Sequence, residues 1–161
     1  MQEAFEAVRG RDDIELHIGG FGEIESEVAK EAKNNSNVFY YGRLPYTKTL
    51  ALEKHCDIMF AMYDPVIPNH QYSAPNKFYE ALMLGKPIIM ANNTGFDDVI
   101  HNNEIGVTSE HNAEGFMNAI SELLTRRSQW GEMGKRARIL YETEYSWNLM
   151  HQRIREMYSN L

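Results

Sequence analysis

The segment from Gln71 to Ala91, QYSAPNKFYEALMLGKPIIMA, constrains the fold of this chain more than any other. Pro75 fits the first position of a helix, where no amide hydrogen is needed. Gly85 suits a left-handed helix cap, and Pro87 prevents the helix from continuing. The apolar run from Ile88 to Met90 is typical of an interior strand in a parallel sheet, because such strands are buried on both faces. The segment therefore predicts a loop, a short helix, a sharp break and a buried strand.

Two charged residues of this predicted helix suggest a ligand. Lys77 lies in the first turn, where a cation opposes the helix dipole, and Glu80 lies one turn further on. A diphosphate can bind the free amides and Lys77, while a carboxylate at Glu80 can accept two ribose hydroxyls. The alternative is an exposed Lys77–Glu80 pair that contributes about 0.2–0.5 kcal/mol to helix stability.

The rest of the chain alternates predicted strands with predicted helices. This order predicts an α/β class, a Rossmann-like parallel sheet flanked by helices, in a single domain over residues 1–161. The N-terminus reads as the inside of a helix, with Ala4, Phe5 and Val8 on one face, so we expect the chain to begin partway through a larger protein. Strands are expected at 14–18, 38–41, 58–62, 88–91 and 105–108. Helices are expected at 24–33, at 49–54 with Thr47 as cap, and at 96–100, 113–124, 128–144 and 147–158.

Composition excludes several classes of function. The net charge of −7 argues against a general nucleic-acid binder, which needs a basic face. Cys56 is the only cysteine, so the sequence offers no disulfide framework and no cysteine-based zinc site, and it fits a cytosolic compartment. The six histidines lack metal-ligand spacing, and we expect no metal.

A basic cluster reads as a solvated helix face, with a weak contact to anionic lipid as the alternative. Its members are Arg126, Arg127, Lys135, Arg136 and Arg138.

Two further segments are candidate ligand contacts at the ends of predicted strands. Gly20 and Gly22 follow the first strand and can approach a phosphate through the backbone, although only Gly20-Phe21-Gly22 matches the dinucleotide fingerprint and a tight turn is the alternative. Arg43 follows Gly42 at the end of the second strand, where it can stack on a base, pair with phosphate or remain exposed.

Five segments taken in order resemble one enzyme family. They are IELHIGGFG, NVFYYGRLP, CDIMFAMYDP, APNKFYEALMLGKPIIMANNTGFDDVI and the C-terminal LLTRRSQWGEMGKRAR with the later YSW. Together they resemble the C-terminal, donor-binding domain of GT-B-fold retaining glycosyltransferases, group 1 (family 4). The resemblance covers almost the whole chain, and the APNKFYEALMLGKP segment is its specific part.

The resemblance implies a set of site residues. It implies that Glu80 holds the ribose hydroxyls and that Lys77 stabilises the departing diphosphate electrostatically, as the candidate catalytic group. No cofactor is implied, since the nucleotide-diphosphate sugar is the donor substrate. The remaining implied contacts are Asn76, Ser73, Ala74, Pro75 and Tyr72 near the diphosphate or sugar, Gly20 and Gly22 in the glycine loop, and Gly42, Arg43 and Leu44 along the base.

The chain departs from the family pattern at three places. Tyr72 stands where the family usually has its first glutamate, and Thr94-Gly95 replaces the usual glycine pair. The first strand of the domain, which would lie in the middle of the sheet, has no counterpart here. The acceptor-binding N-terminal domain also has none.

These observations predict the donor-binding half of a hexosyltransferase, in bacterial surface polysaccharide synthesis, acting on a glycan or lipid-linked acceptor. We expect the partners to be a nucleotide sugar and the missing N-terminal domain, with a cytoplasmic location, peripheral to the inner membrane if the lipid contact exists. The fragment alone is expected not to transfer sugar, and the last helix, through Trp147, Met150, Ile154 and Met157, is expected to pack on the missing half. Two alternatives remain, a nucleotide-sugar epimerase of GT-B architecture and a non-catalytic nucleotide-binding module.

Overall fold

The computed structural model describes residues 1–159, in which short parallel strands alternate with helices. The strands are β1 (Leu16–Ile18), β2 (Val38–Tyr40), β3 (Met59–Ala61), β4 (Ile88–Ala91) and β5 (Gly106–Ser109). The helices are α1 (Gln2–Val8), α2 (Glu25–Asn34), α3 (Tyr46–His55), α4 (Asn76–Leu84), α5 (Asp97–Asn103), α6 (Ala113–Thr125), α7 (Trp130–Leu140) and α8 (Trp147–Ser159). Short 3-10 helices span Pro68–Tyr72 and Arg127–Gln129, and a π-helical turn spans Tyr141–Tyr145. The predicted α/β class, a parallel sheet flanked by helices, is confirmed.

The strands form two separate parallel sheets. One contains β1 and β2, and the other has the order β3-β4-β5. In the first, Leu16 is level with Val38, and in the second, Met59 is level with Ile88. The expectation that one strand is missing from the middle of the sheet agrees with this break between β1 and β3.

Helices cover both sheets and enclose two apolar clusters. One cluster includes Phe5 and Val8 of α1, packed against Phe116 and Leu123 of α6. The other surrounds Phe78 of α4 and the strand β4, whose residues are all buried. This burial is what the continuous apolar run of β4 predicts.

The structure corrects three predicted boundaries. Pro75 precedes α4 as its N-cap, with ψ of 131°, because its carbonyl accepts the first helical hydrogen bond, from the Phe78 amide at 3.0 Å. Thr47 is not a cap, since α3 begins one residue earlier, at Tyr46, without any side-chain cap. The single helix predicted over 128–144 is divided into a 3-10 turn, α7 and the π-helical turn. The C-cap is as predicted, with Gly85 at φ 64°.

Helix α8 has no fully buried residue, although Leu149 and Met150 are half-buried. Trp147 is 70% exposed and Met157 is 58% exposed. The idea that this face packs on another domain stays a prediction. Within residues 1–159, no helix is both long and apolar enough to span a membrane.

Candidate functional site

Lys77 forms a three-residue cluster with two carboxylates. Its Nζ donates to Glu53 Oε1 at 2.6 Å and to Glu80 Oε2 at 2.7 Å. Glu80 is one helical turn from Lys77 on α4, whereas Glu53 comes from the last turn of α3. The cluster therefore depends on the packing of α3 against α4 as well as on helical spacing.

The carboxylates of this cluster are buried and the ammonium is not. The Glu53 and Glu80 side chains are 10% and 8% exposed, while that of Lys77 is 42% exposed. The Lys77–Glu80 pair is thus unlike the exposed surface pair considered as the alternative. Two anions share one cation, so the cluster carries a formal charge of −1 that water screens only on the Lys77 side.

Burial governs the protonation of Glu53. Desolvation raises the pKa of the Glu53 carboxyl above its usual value, against the opposing effect of the bond from Lys77. Glu53 Oε2 is buried and has no hydrogen-bond partner among the described residues. For Lys77 the balance differs: burial lowers its pKa, but the hydrogen bonds to Glu53 and Glu80 outweigh this and raise it. Lys77 is therefore charged at neutral pH.

Aromatic packing holds α4 in place beneath the cluster. Phe78, adjacent to Lys77, is fully buried, and its ring centroid lies 4.0 Å from that of Phe96. The ring of Tyr145 also packs edge-on against Phe78, with the two centroids 5.8 Å apart. This anchoring fixes the first turn of α4, and with it the position from which Lys77 projects.

The cluster opens into a cavity at the carboxyl ends of two strands. Glu53 and Lys77 line a space of about 330 Å³ together with Ile18 and Gly19 after β1 and Met62 after β3. Ligands of open α/β folds bind at this edge of the sheet. Lys77 thus lies at the edge of the sheet where open α/β folds bind their ligands.

The glycine loop and the turn after β2 lie side by side. The Gly20 amide donates to the Gly42 carbonyl at 2.8 Å, and the Tyr40 hydroxyl donates to the Gly20 carbonyl at 3.0 Å. Leu44 packs directly over Gly19. The sequence-predicted residues Gly20, Gly42 and Leu44 are therefore brought together at one edge.

Arg43 and Gly22 lie at the outer side of this edge. The Arg43 guanidinium lies 4.3 Å from the ring centroid of Phe21, as a cation–π contact that leaves the side chain exposed. Gly22 lies at the start of the turn into α2 and is exposed. It stays a prediction that Gly22 approaches a phosphate, with a tight turn as the alternative. It also stays a prediction that Arg43 contacts a base or a phosphate.

The loop before α4 places Tyr72 apart from Lys77. Tyr72 is 87% exposed and lines an open cleft of about 700 Å³ that also includes Gly95 and Asp97. The Ser73 hydroxyl donates to the His70 carbonyl at 3.0 Å, which fixes the loop just before the helix. Ala74 and Asn76 are exposed around the buried Pro75, the N-cap of α4. These residues surround the start of α4, whereas Tyr72 faces a different cleft.

Sequence reasoning missed two members of the site, Glu53 and Tyr46. Tyr46, the first residue of α3, is 62% exposed, but partial desolvation and the nearby negative charge of Glu80 raise the pKa of its phenol, which indicates that it lies beside the cluster. The sequence signal for Glu53 is faint: it is an acidic residue directly after the inward-facing Leu52 of α3. In residues 1–159, no group of three or more metal-ligating side chains converges.

Comparisons with known proteins agree with this architecture. The chain is similar to sucrose-phosphate synthase from Thermosynechococcus elongatus, with 18% identity and a TM-score of 0.75 over 99% of this chain and 42% of that one. It is similar to Anabaena HepE in complex with UDP-glucose, with 16% identity and a TM-score of 0.75 over 99% and 44% of the two chains. A glycosyltransferase from Rickettsia africae has 19% identity and a TM-score of 0.77 over 99% and 43%.

The chain thus spans less than half the length of these solved structures, which at this identity show the fold alone. No curated protein matches the sequence significantly. The family model for glycosyl transferases group 1 matches residues 1–140, which is most of the chain. The resemblance inferred from the motifs is confirmed, and the chain belongs to the glycosyl transferases group 1 family.

Proposed function

We propose that this chain is the donor-binding half of a glycosyltransferase that uses a nucleoside-diphosphate sugar. One observation carries the proposal: Lys77 projects from the first turn of α4 into a cavity at the strand ends, held between two buried carboxylates. Because the Lys77 side chain is 42% exposed, an incoming diphosphate could accept a hydrogen bond from its ammonium. HepE, which has the same fold, is described in complex with UDP-glucose.

The geometry suggests how the two halves of a nucleotide would bind. The diphosphate would accept hydrogen bonds from Lys77 and from the free amides at the start of α4, near Ser73, Ala74, Pro75 and Asn76. Glu80, buried one turn further in, would accept the ribose hydroxyls. The base would then lie along Gly42, Arg43 and Leu44, with the glycine loop beside it.

The chemistry follows from the same contacts. Transfer breaks the bond between the anomeric carbon and the diphosphate oxygen, and negative charge develops on that oxygen. The Lys77 ammonium stabilises this charge, so it lowers the barrier for departure of the nucleoside diphosphate. We propose a hexose donor, retention at the anomeric carbon and no cofactor, in keeping with the motif resemblance.

We propose that the acceptor binds to a domain outside this chain. A glycan or lipid-linked acceptor would bind an N-terminal domain, in bacterial surface polysaccharide synthesis at the cytoplasmic face of the membrane. We propose that residues 1–161 form one domain that binds donor weakly and does not transfer sugar alone.

Calorimetric titration with UDP, GDP and ADP tests the proposal. We expect one of them to bind, and we expect Glu80→Ala to weaken that binding by about tenfold or more, as for loss of a hydrogen bond to a charged group. Glu132→Ala is the matched control, because Glu132 makes the same type of 2.7 Å contact with a lysine three residues away, Lys135, but on an exposed face. If folded protein binds none of the three nucleotides, or if both variants behave alike, the donor-site assignment is wrong.

A further inference from the structure

Tyr46 presents an exposed aromatic ring at the start of α3. The residue is 62% exposed, whereas Glu53 of the same helix is buried. Its backbone position is fixed, because Pro45 precedes it with φ −59° and the Pro45 carbonyl accepts from the Lys48 amide at 2.8 Å. A tyrosine ring is a large, partly apolar surface that loses little conformational entropy when a ligand packs on it. An exposed ring at a fixed position is therefore suited to stacking on a flat ligand.

Helical spacing places Tyr46 on the face of α3 that borders the cavity at the strand ends. Thr49 and Glu53 both line this cavity of about 330 Å³. They follow Tyr46 by three and seven residues, which in an α-helix puts the three side chains on one face. Because Tyr46 is exposed and begins the helix, whereas Glu53 is buried in the last turn, the ring lies at the rim of the cavity.

The charges around the Tyr46 phenol agree with this position. Partial desolvation, followed by the negative charges of Glu80 and Glu53, raises the pKa of the phenol, and the positive charge of Lys77 opposes the shift. All three members of the cluster are thus close enough to act on Tyr46. The charge of Glu80 has the largest effect of the three, so the ring lies on the Glu80 side of the cluster.

Tyr46 also adjoins the turn that follows β2. Leu44, two residues earlier, packs over Gly19, and Gly19 itself lines the cavity. Pro45 is the only residue between Leu44 and Tyr46, so the turn and the ring are held close together. The ring therefore lies between this turn and Glu80, which come from distant parts of the sequence.

A nucleoside has a shape that fits these two neighbours. In the proposed donor site the ribose hydroxyls bind Glu80, and the base lies along the turn at residues 42–44. The base is joined directly to the ribose, so it has to pass the residue that lies between the carboxylate and the turn. That residue is Tyr46. The backbone groups of the turn can meet the hydrogen-bonding edge of the base, and this leaves a face of the base for the aromatic ring.

We propose that the Tyr46 ring stacks on the nucleobase of the donor. This inference rests on the proposed donor site and adds to it a binding residue from α3. Every base has an aromatic face, so the stack contributes affinity without selecting among uracil, guanine and adenine. The stack requires the ring of Tyr46 and not its hydroxyl. A phenol that only oriented Glu80 would have the opposite requirement.

Calorimetric titration of variants separates these two roles. The ligand is whichever of UDP, GDP and ADP binds the parent chain best, and the variants are Tyr46→Phe, Tyr46→Ala and Tyr158→Ala. Tyr158, on α8, is the matched control because it is 66% exposed and lies outside the donor site. We expect Tyr46→Ala to weaken binding by about tenfold or more, while Tyr46→Phe and Tyr158→Ala bind within about twofold of the parent.

Proton NMR of the bound nucleotide supplies a second readout. A base that lies over an aromatic ring has its non-exchangeable base protons shifted upfield by the ring current. We expect this upfield shift, extrapolated to saturation, with the parent and with Tyr46→Phe, and we expect it to be absent with Tyr46→Ala. A change in Glu80 or in the fold alone would not produce this pattern.

The outcomes distinguish the stack from the donor site itself. If Glu80→Ala weakens binding but Tyr46→Ala binds like the parent, the stacking role is overturned and the donor site stands. If Tyr46→Phe binds as weakly as Tyr46→Ala, the hydroxyl is the active group and the stack is again overturned. If folded parent protein binds none of the three nucleotides, both the stack and the donor site are overturned. Circular dichroism should verify that every variant is folded.

Discussion

Neutralising Glu53 is expected to strengthen nucleotide binding. Glu53 and Glu80 together give the cluster around Lys77 a formal charge of −1, and a diphosphate adds further negative charge beside it. A phosphate oxygen on Lys77 would lie about 5 Å from the Glu53 carboxylate, at which separation two unit charges interact by about 1–3 kcal/mol for effective dielectrics between 80 and 20. Because Lys77 is 42% exposed, solvent screening favours the lower end of that range.

Glu53→Gln therefore should tighten nucleoside diphosphate binding roughly fivefold, which corresponds to about 1 kcal/mol. The glutamine oxygen can still accept a hydrogen bond from Lys77, so the lysine keeps its position while the repulsion disappears. The assay is calorimetric titration of both proteins with the nucleotide that binds the parent chain. Circular dichroism should verify that both are folded.

The control is Glu132→Gln, which changes the net charge by the same amount on an exposed face. Lys135 bonds Glu132 at 2.7 Å and lowers the pKa of its carboxyl, but both side chains are more than 60% exposed. We expect this variant to bind like the parent. Binding by Glu53→Gln that is unchanged or weaker would refute the idea that Glu53 opposes the diphosphate.

Three further predictions concern stability. Because burial raises the pKa of Glu53, the folded protein holds this proton more tightly than the unfolded chain. The free energy of unfolding of the parent should therefore fall relative to that of Glu53→Gln as pH rises from about 4.5 through the folded-state pKa. Urea unfolding of both proteins at several pH values measures this difference, and a difference that stayed constant with pH would contradict the prediction. In α7, Gly134→Ala should destabilise the fold by about 1–3 kcal/mol, because the new Cβ would overlap the Gly85 carbonyl. Gly131→Ala, in the same helix but with open space around it, should stabilise the fold by up to about 1 kcal/mol. Equal effects of the two variants in chemical denaturation would show that α4 and α7 approach each other less closely. Phe78→Ala should cost about 3–5 kcal/mol in the same assay, and a loss below about 1 kcal/mol would mean that the aromatic anchor under α4 is unimportant.

The sequence predicted most of the secondary structure because proline, glycine and apolar runs mark it locally. The break at Gly85 and the buried strand β4 follow from residues within a few positions of one another. The boundaries that were wrong depended on weaker signals. Thr47 is a good cap by residue type, yet the extended Pro45, whose carbonyl accepts from Lys48 at 2.8 Å, begins α3 earlier.

The site was only half visible in the sequence. Lys77 and Glu80 are three residues apart on one helix, so their spacing predicts that the two side chains are in contact. Glu53 joins them from a position 24 residues earlier, through the packing of α3 on α4, which no local pattern encodes. The division of the strands into two parallel sheets is equally non-local, because it depends on which strands pair across the chain.

The most direct test of the donor site asks whether a ribose hydroxyl of the ligand and the Glu80 carboxylate depend on each other for binding. The nucleoside diphosphate that binds best would be titrated alongside its 2′-deoxy analogue, into the parent chain and into Glu80→Ala. If Glu80 accepts the ribose hydroxyl, the parent should bind the deoxy analogue about tenfold more weakly, as expected for loss of a hydrogen bond to a charged group. In Glu80→Ala the two ligands should bind within about twofold of each other, since the acceptor is gone. A deoxy penalty of equal size in both proteins would contradict the account, because the hydroxyl would then be recognised elsewhere.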